Sequence, residues 1–404
     1  MCQKNQNVDV AKRPDFKDWR SLLAAALCLF LWSIAEEVRS QAASPAPGGY
    51  ALKIYRVNYG AYPYVEVTFR TFDQKQQPLV NLNERNIGLM VKGKSYDPMK
   101  RQYFIQPLRQ RQESTRTVLV LDASRSMAGP PFEAALRASA RYIDSKRPQD
   151  EVAVLSIRDT KEGYDLVSDF ERDVGALGRR LADVKADGSK TRLYDSLGAA
   201  MQMCAMTAQG AMAPGTEHDV ASCSIVVFSD GLDEGSALSR EELNARITGL
   251  SIPIPIYSLA YSRVSQQYFK NLESLSKNSF GIYYLIGQTV DRMQQVVEDI
   301  QNIVQSDYVV TFRSYLPVDG EEHGFKLGVE YPSGSGKIFY ENGRFEAIEP
   351  PLLPPILQKV QLLSQSIPAL PAGVATPYFD QPLPASAPVL PMASPPAAGQ
   401  KPLP

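Results

Sequence analysis

From about residue 115 to residue 305, short aliphatic runs alternate with segments in which apolar residues recur at helical spacing. The runs read TVLVL, VAVLSI, CSIVVFS, PIYSLAY and GIYYLI. Strands that are apolar throughout and are joined by helices are typical of a parallel sheet covered on both faces. We therefore predict a doubly wound α/β domain with a mostly parallel sheet over residues 115–305. The stripes that predict its helices are Phe132, Leu136, Ala140 and Ile143, then Leu193, Leu197, Ala200, Met201 and Cys204, then Val290, Met293, Val297, Ile300 and Val304.

The segments on either side of this domain have a different periodicity. Residues 50–108 alternate apolar and polar positions, most clearly in YVEVTFRTFD and IGLMVKGK. Strand-like runs return in residues 306–347 as DYVVTFRS, FKLGVEY and KIFYENGRF. Because period-two patterning predicts β-strands, we expect the two flanks to form one β-sandwich into which the α/β domain is inserted. The sequence also allows two independent β modules.

Residues 1–42 have the pattern of an export signal. Basic residues precede SLLAAALCLFLWSIA, a stretch of the length of a signal-peptide core and short for a membrane span. The small residues of SQAAS suit cleavage after Ala42, and the alternative is an uncleaved N-terminal membrane anchor. Both interpretations predict an exported protein, periplasmic, secreted or on the cell surface, with membrane contact only through this segment.

The other end of the chain has a composition that is typical of disorder. Residues 350–404 are rich in proline and alanine, as in LPASAPVLPMASPPAAGQKPLP, and such a segment has too little apolar surface to form a core. We predict a disordered tail, in which a short helix at residues 356–363 is the one expected interruption.

Composition argues against several classes of function. The formal net charge is -1, and no basic stripe is present, so we expect no nucleic-acid partner. Neither His218 nor His323 lies in a zinc-binding or GxSxG motif, and we predict that the chain is not an enzyme. Beyond the N-terminal segment only Cys204 and Cys223 are present, and an oxidising compartment favours a disulfide over two buried free thiols.

Polar oxygens cluster where predicted strands end. DASRSM, residues 122–127, directly follows TVLVL; Thr191 precedes a predicted helix, and Asp230 follows the buried run IVVFS. Open α/β sheets bind ligands at the carboxyl ends of their strands, and DASRSM lacks the glycines and lysine of a phosphate loop. Oxygen atoms are the ligands that Mg²⁺ prefers. The predicted magnesium site consists of Asp122, Ser124, Ser126, Thr191 and Asp230.

With this pattern, residues 115–305 resemble a von Willebrand factor type A (VWA) domain with a metal-ion-dependent adhesion site, whose family pattern is DxSxS, then threonine, then aspartate. The resemblance implies a Rossmann-like fold in which Ser124, Ser126 and Thr191 bind Mg²⁺ directly, with Mn²⁺ or Ca²⁺ as alternatives. It implies that Asp122 and Asp230 act largely through water, and that an acidic side chain of a protein partner completes the coordination. The β flanks further resemble those of bacterial exported proteins described as acidobacterial-type VWA proteins.

The threonine loop departs from the family pattern. Family members commonly carry Gly-Gly-Thr, whereas this chain has Gly188-Ser189-Lys190-Thr191, which leaves open whether the domain changes conformation on binding. Further acids lie nearby, namely Asp187, Asp195 and Asp233. We interpret Asp195 and Asp233 as groups that cap helix ends or loops rather than as metal ligands.

Two hypotheses of function follow from these observations. In the first, the chain is an exported, metal-dependent module that binds a protein partner in adhesion or recognition. In the second, it is a structural or assembly protein of the cell envelope, and the metal site only stabilises loops. Replacing Ser124 and Ser126 by alanine separates them, because only the first hypothesis predicts that partner binding is lost.

Overall fold

The computed structural model describes residues 51–73, 77–208, 220–262, 266–287, 289–330 and 338–370. The strands are β1 Ala51–Ala61, β2 Tyr64–Phe72, β3 Ile87–Val91, β4 Lys94–Ser95, β5 Tyr103–Pro107, β6 Ser114–Asp122, β7 Glu151–Ile157, β8 Tyr164–Glu171, β9 Val220–Ser229, β10 Ile256–Tyr261, β11 Tyr283–Gly287, β12 Tyr308–Arg313, β13 Glu322–Val329 and β14 Phe339–Glu346. The α-helices are α1 Pro130–Ser145, α2 Val174–Ala182, α3 Leu193–Ala208, α4 Arg240–Thr248, α5 Phe269–Asn278, α6 Arg292–Gln305 and α7 Pro354–Ser366.

The α/β domain is built on a six-stranded sheet with the order β11-β10-β9-β6-β7-β8. Neighbouring strands are parallel except for β7 and β8. Side chains of β6 alternate between two cores, with Leu119 and Leu121 on one face and Val118 and Val120 on the other. Helices cover both faces, so the predicted doubly wound, mostly parallel fold is confirmed.

The antiparallel strand β8 was not among the predicted aliphatic runs. Its sequence, YDLVSDFE, is mostly polar, and Leu166 in its middle is 52% exposed. An edge strand that is half open to solvent needs few apolar residues, and therefore gives no strong sequence signal.

The flanks form two further antiparallel sheets, with the orders β1-β2-β12-β5 and β14-β13-β3-β4. In the first sheet, β12 from the second flank lies between β2 and β5 of the first flank. In the second sheet, β13 pairs with β3. The sheets share one core, in which Phe312 contacts Phe325 and Phe345. The flanks are thus interleaved, and the alternative of two independent β modules does not describe this structure.

Part of the predicted disordered tail is ordered. Helix α7 spans Pro354–Ser366, and Leu363 and Ile367 are buried beside Ala61 and Tyr64 of the sandwich. The Tyr64 hydroxyl donates a hydrogen bond to the carbonyl of Ile367 at 3.2 Å. The helix expected at residues 356–363 is present and longer than predicted, and the prediction of disorder was wrong for the residues around it up to 370, because apolar side chains at helical spacing pack on an apolar surface. Residues 371–404 and the predicted export segment 1–42 lie outside the described residues.

A buried ion pair lies at the junction of the sandwich and the α/β domain. Arg70 of β2 contacts Asp307, which directly precedes β12, through its Nε at 2.5 Å and its Nη2 at 3.1 Å. Both side chains are almost fully buried, and Arg70 also donates to the Tyr257 hydroxyl of β10. This bidentate pair therefore links two strands of the sandwich to the central sheet.

A second charged cluster lies where the chain enters the α/β domain. Arg111 donates to Glu66 of β2 at 2.5 Å and, through Nε, to Glu113 at 2.9 Å. Lys359 of α7 lies 2.6 Å from Glu66 and 3.6 Å from Glu113. Each carboxylate in this cluster therefore contacts two cationic side chains.

The amino end of the central sheet has a buried carboxylate with partners of its own. Asp150 accepts hydrogen bonds from the backbone N–H of Thr115 at 2.7 Å and from the Arg147 guanidinium at 2.7 and 3.0 Å. Because Arg147 neutralises the charge, this buried carboxylate is fully satisfied.

Candidate metal site

The predicted ligands lie at the carboxyl edge of the central sheet. Asp122 is the last residue of β6, and Asp230 directly follows β9. These strands are neighbours in the sheet, with Leu121 opposite Phe228. The two aspartates therefore leave adjacent parallel strands at the same edge, as the sequence pattern predicts.

The DASRSM segment folds back on its own aspartate. The Oδ1 atom of Asp122 accepts hydrogen bonds from the Ser124 N–H at 3.1 Å and from the Ser124 hydroxyl at 2.6 Å. The Ser124 and Ser126 hydroxyl oxygens lie 3.0 Å apart, and a turn of 3₁₀ helix begins at Arg125. The other oxygen of Asp122 accepts from Ser229 at 2.7 Å. Asp122 and Ser124 are buried, whereas Ser126 is exposed, so the cluster opens to solvent on one side.

Among the residues that the structure describes, no lysine or arginine forms an ion pair with Asp122 or Asp230. Burial and the charge of Asp230 raise the pKa of Asp122 to about 6, although hydrogen bonds from Ser124 and Ser229 lower it. Burial also raises the pKa of Asp230, while hydrogen bonds from the Leu232 backbone and Ser126 lower it. Burial disfavours the charged form of both carboxylates, and a positively charged ligand would stabilise that form.

The threonine loop is held beside DASRSM by its backbone. Gly188 donates to the Ala123 carbonyl at 3.0 Å and accepts from the Arg125 N–H at 3.0 Å. A Cβ atom at Gly188 would lie 3.1 Å from the Ala123 carbonyl oxygen, so the close approach favours glycine. Thr191 is fully buried, and its hydroxyl has no hydrogen-bond partner among the described residues. A buried hydroxyl without a partner is costly, and a bound ligand would satisfy it.

Glu234 is a residue of this site that the sequence analysis missed. Its carboxylate accepts a hydrogen bond from the Thr191 N–H at 3.2 Å, and its own N–H donates to the Thr191 carbonyl at 2.7 Å. Its charge also contributes to the raised pKa of Asp230. Glu234 thus joins the threonine loop to the Asp230 loop. The four-residue spacing from Asp230 is the only sequence signal, and it has no meaning until the path of the loop is known.

The neighbouring acids have other partners. Asp187 pairs with Arg158 at 2.9 Å on the surface. Asp195 accepts from the N–H groups of Ala237 and Leu238, both at 2.9 Å. Asp233 accepts from the N–H of Tyr194, in the first turn of α3, at 3.2 Å. Asp195 and Asp233 therefore satisfy backbone donors of a loop and a helix end.

The oxygens of this site fit a hard divalent cation. Three hydroxyls and two carboxylates are available, from Ser124, Ser126, Thr191, Asp122 and Asp230, with no nitrogen or sulfur among them. Across the described ranges, no group of three or more His, Cys, Asp or Glu side chains is arranged to bind a metal. A site here therefore depends on its hydroxyls. Such an oxygen set suits Mg²⁺ better than zinc.

The remaining predicted residues lie elsewhere. A disulfide joins Cys204 of α3 to Cys223 of β9, with the Cα atoms 5.5 Å apart. His323, on β13, is buried, and its Nε2 lies 3.0 Å from Asp319. His218 lies outside the described residues. Within the described ranges, no helix combines the length and apolarity needed to cross a membrane.

Comparison with known proteins identifies the class of the central domain. Residues 117–232 match the model of the von Willebrand factor type A domain family, and the chain therefore contains a domain of this class. Among solved structures 97 chains match. One is the crystal structure of the SpRpn10 VWA domain, with 14% sequence identity, a TM-score of 0.34, and coverage of 46% of this chain and 94% of that chain. No curated protein matches the sequence.

The family match supports a general role. VWA domains commonly mediate protein–protein interactions, and the central domain is a protein-interaction module in this general sense. The adhesion-site chemistry, the choice of cation and the relation to acidobacterial-type proteins stay predictions.

Proposed function

We propose that this chain is an exported, metal-dependent module that binds a protein partner through an acidic side chain. Ser124, Ser126 and Thr191 would hold a divalent cation, Mg²⁺ in the first place, through their hydroxyls, with Asp122 and Asp230 set back from it. When bound, the cation supplies a positive centre that attracts an oxygen anion. Because its nearest protein ligands are neutral, a carboxylate of the partner completes the site.

The observation that carries this proposal is the buried Thr191 hydroxyl, which has no hydrogen-bond partner in the part of the chain that the structure describes. It lies on the loop whose Gly188 is hydrogen-bonded to DASRSM, and burial raises the pKa values of Asp122 and Asp230 at the same edge of the sheet. An unsatisfied buried hydroxyl and uncompensated buried charge are both unfavourable, and one bound cation relieves both. A set of groups that only stabilised loops would satisfy one another, as Asp150 and Arg147 do.

Export is supported by two independent features. The N-terminal segment has the pattern of a signal peptide or membrane anchor. The Cys204–Cys223 disulfide is of the kind that persists in oxidising compartments. We propose recognition without catalysis, because His323 pairs with Asp319 in the sandwich and, within the described ranges, no histidine contacts the oxygens of the candidate site.

The test is calorimetric titration of Mg²⁺, Mn²⁺ and Ca²⁺ into the full chain and into a Ser124→Ala, Ser126→Ala double variant. Ser364→Ala, which removes an exposed hydroxyl in α7, is the matched control. A peptide with one aspartate in a Gly/Ser background is then titrated into each protein, once in the presence of Mg²⁺ and once in the presence of EDTA. We expect metal binding and Mg²⁺-dependent peptide binding in the wild type and control, and neither in the double variant.

Two results would count against the proposal. If the wild type binds no divalent cation, the metal site is absent. If the double variant loses only stability, while Mg²⁺-dependent peptide binding persists, the hydroxyls serve the loops, which is the structural alternative.

A further inference from the structure

We propose that the partner segment carries several acidic residues in succession, and that Arg125 and Lys190 select it. This inference rests on the proposed function, because one partner carboxylate is assigned to the cation. The neighbouring carboxylates pair with the two cationic side chains. A partner with a single acid in a neutral segment would therefore bind more weakly.

Both cationic residues are adjacent to predicted metal ligands in the sequence. Arg125 separates Ser124 from Ser126, and Lys190 directly precedes Thr191. A parallel bridge pairs Ser124 with Gly188, and the Arg125 N–H donates to the Gly188 carbonyl at 3.0 Å. Arg125 is one residue beyond this bridge and Lys190 is two. The two residues therefore lie on neighbouring segments beside the candidate site, and both are exposed.

Arg125 and Lys190 differ from Arg158 and Arg192 of these loops, which form ion pairs with acidic side chains. Arg158 pairs with Asp165 at 3.1 Å and with Asp187 at 2.9 Å, and Arg192 pairs with Asp195 at 2.6 Å. Arg125 and Lys190 are exposed, and within the described part of the chain no carboxylate lies within 4.0 Å of either cationic group. Their charges are available to a ligand.

Asp159 and Glu234, the acidic residues in contact with the threonine loop, accept hydrogen bonds from that loop. Asp159 accepts hydrogen bonds from the hydroxyl and the N–H of Ser189, which lower its pKa. Glu234 accepts the Thr191 N–H at 3.2 Å. Asp159 weakens the field of Arg125 to some extent, but its oxygens have donors of their own. These acids keep their charge, but their oxygens already accept hydrogen bonds within the chain, whereas Arg125 and Lys190 have no carboxylate within ion-pair distance among the described residues.

Charge complementarity of this kind affects selectivity and association rate more than total affinity. Exposed ion pairs contribute little individually, whereas two pairs beside a divalent cation act on the same segment and also steer its approach. Arginine further offers a planar fork that matches a carboxylate. We expect a combined effect of about tenfold in affinity at low salt, which falls as salt is added.

The experiment compares two synthetic peptides of equal length at low salt. One has a single aspartate in a Gly/Ser background, and the other has four consecutive acidic residues. Each is titrated in Mg²⁺ into the full wild-type chain and into an Arg125→Gln, Lys190→Gln double variant. Lys326→Gln, an exposed cation on β13, is the control. Mg²⁺ affinity is measured separately in every variant.

We expect the acidic peptide to bind the wild type and the control about tenfold more tightly than the single-aspartate peptide. In the double variant this difference disappears, while Mg²⁺ still binds. Equal affinities of the two peptides for a wild type that binds Mg²⁺ would overturn this inference and leave the proposed function standing. If the wild type does not bind Mg²⁺, both this inference and the proposed function are overturned. An oligothymidylate that bound as tightly as the acidic peptide would indicate general polyanion binding and would also overturn it.

Discussion

Buried carboxylates at the two ends of the central sheet differ in whether a cationic side chain contacts them. At the amino end and the sandwich junction, Asp150 and Asp307 each contact an arginine through two hydrogen bonds or more. At the carboxyl end, Asp122 has hydroxyl and N–H donors but no cationic partner among the described residues, where the Thr191 hydroxyl of the adjoining loop has no hydrogen-bond partner either. Charges that are neutralised within the chain serve stability, while those left uncompensated are available to a ligand.

The largest expected effect is on the free energy of unfolding and comes from removing the arginine that neutralises Asp307 at the sandwich junction. Arg70→Met leaves Asp307 buried without its counter-charge, and we expect a loss of about 3–5 kcal/mol in the free energy of unfolding. The double variant Arg70→Met, Asp307→Leu should recover most of that loss, because no charge then stays buried. Urea unfolding measures both. A single variant as stable as the wild type would show that Asp307 carries no uncompensated buried charge there, because it takes up a proton or is reached by water.

The next effect is a pH dependence at the same end. Burial would raise the pKa of Glu113, but the hydrogen bonds and charge of Arg111 outweigh it and lower the pKa from 4.5 to about 2. A lowered pKa contributes stability that is complete above pH 4.5 and is lost as the pH falls toward 2. We expect a difference of about 3 kcal/mol over this window.

Glu113→Gln isolates this contribution. Urea unfolding at a series of pH values should show the wild type losing its advantage over the variant as the solution is acidified. If the gap between the two proteins is the same at every pH, the Arg111 cluster does not set the pKa of Glu113.

The smallest expected effect is on Mg²⁺ affinity at the carboxyl end of the sheet. Glu234→Ala frees the Thr191 N–H and removes a negative charge near Asp230, and we expect about a tenfold loss in Mg²⁺ affinity, in the range seen for residues that orient metal ligands. Glu234→Gln keeps an acceptor for the Thr191 N–H and should lose less, about threefold, through charge alone.

Calorimetric titration of Mg²⁺ into both Glu234 variants provides the measurement, with Glu341→Gln in the sandwich as control. Equal losses in the glutamine and alanine variants would assign Glu234 a purely electrostatic role. An unchanged affinity in both would remove it from the site.

Much of the domain was predictable because its signals are local. Aliphatic runs such as TVLVL predict buried strands, and the carboxyl ends of parallel strands share one edge, which places Asp122 close to Asp230 without further information. Glu234 escaped prediction because its role depends on the path of a loop. The docking of α7 escaped for a similar reason, since Leu363 and Ile367 become core residues only when β1 and β2 offer a surface.

The interleaving of β12 between β2 and β5 has a consequence for how the chain folds. The α/β insert begins and ends at one point, because the Leu108 N–H donates to the Asp307 carbonyl at 2.7 Å and Pro107 lies opposite Tyr308. Once the insert has folded, it holds β5 and β12 together as a tight turn would. Folding of the insert has then already closed the long loop between these strands, so that pairing them costs little further entropy. The sandwich is therefore expected to assemble last, and a short linker between residues 108 and 307 should replace the insert without changing the strand register.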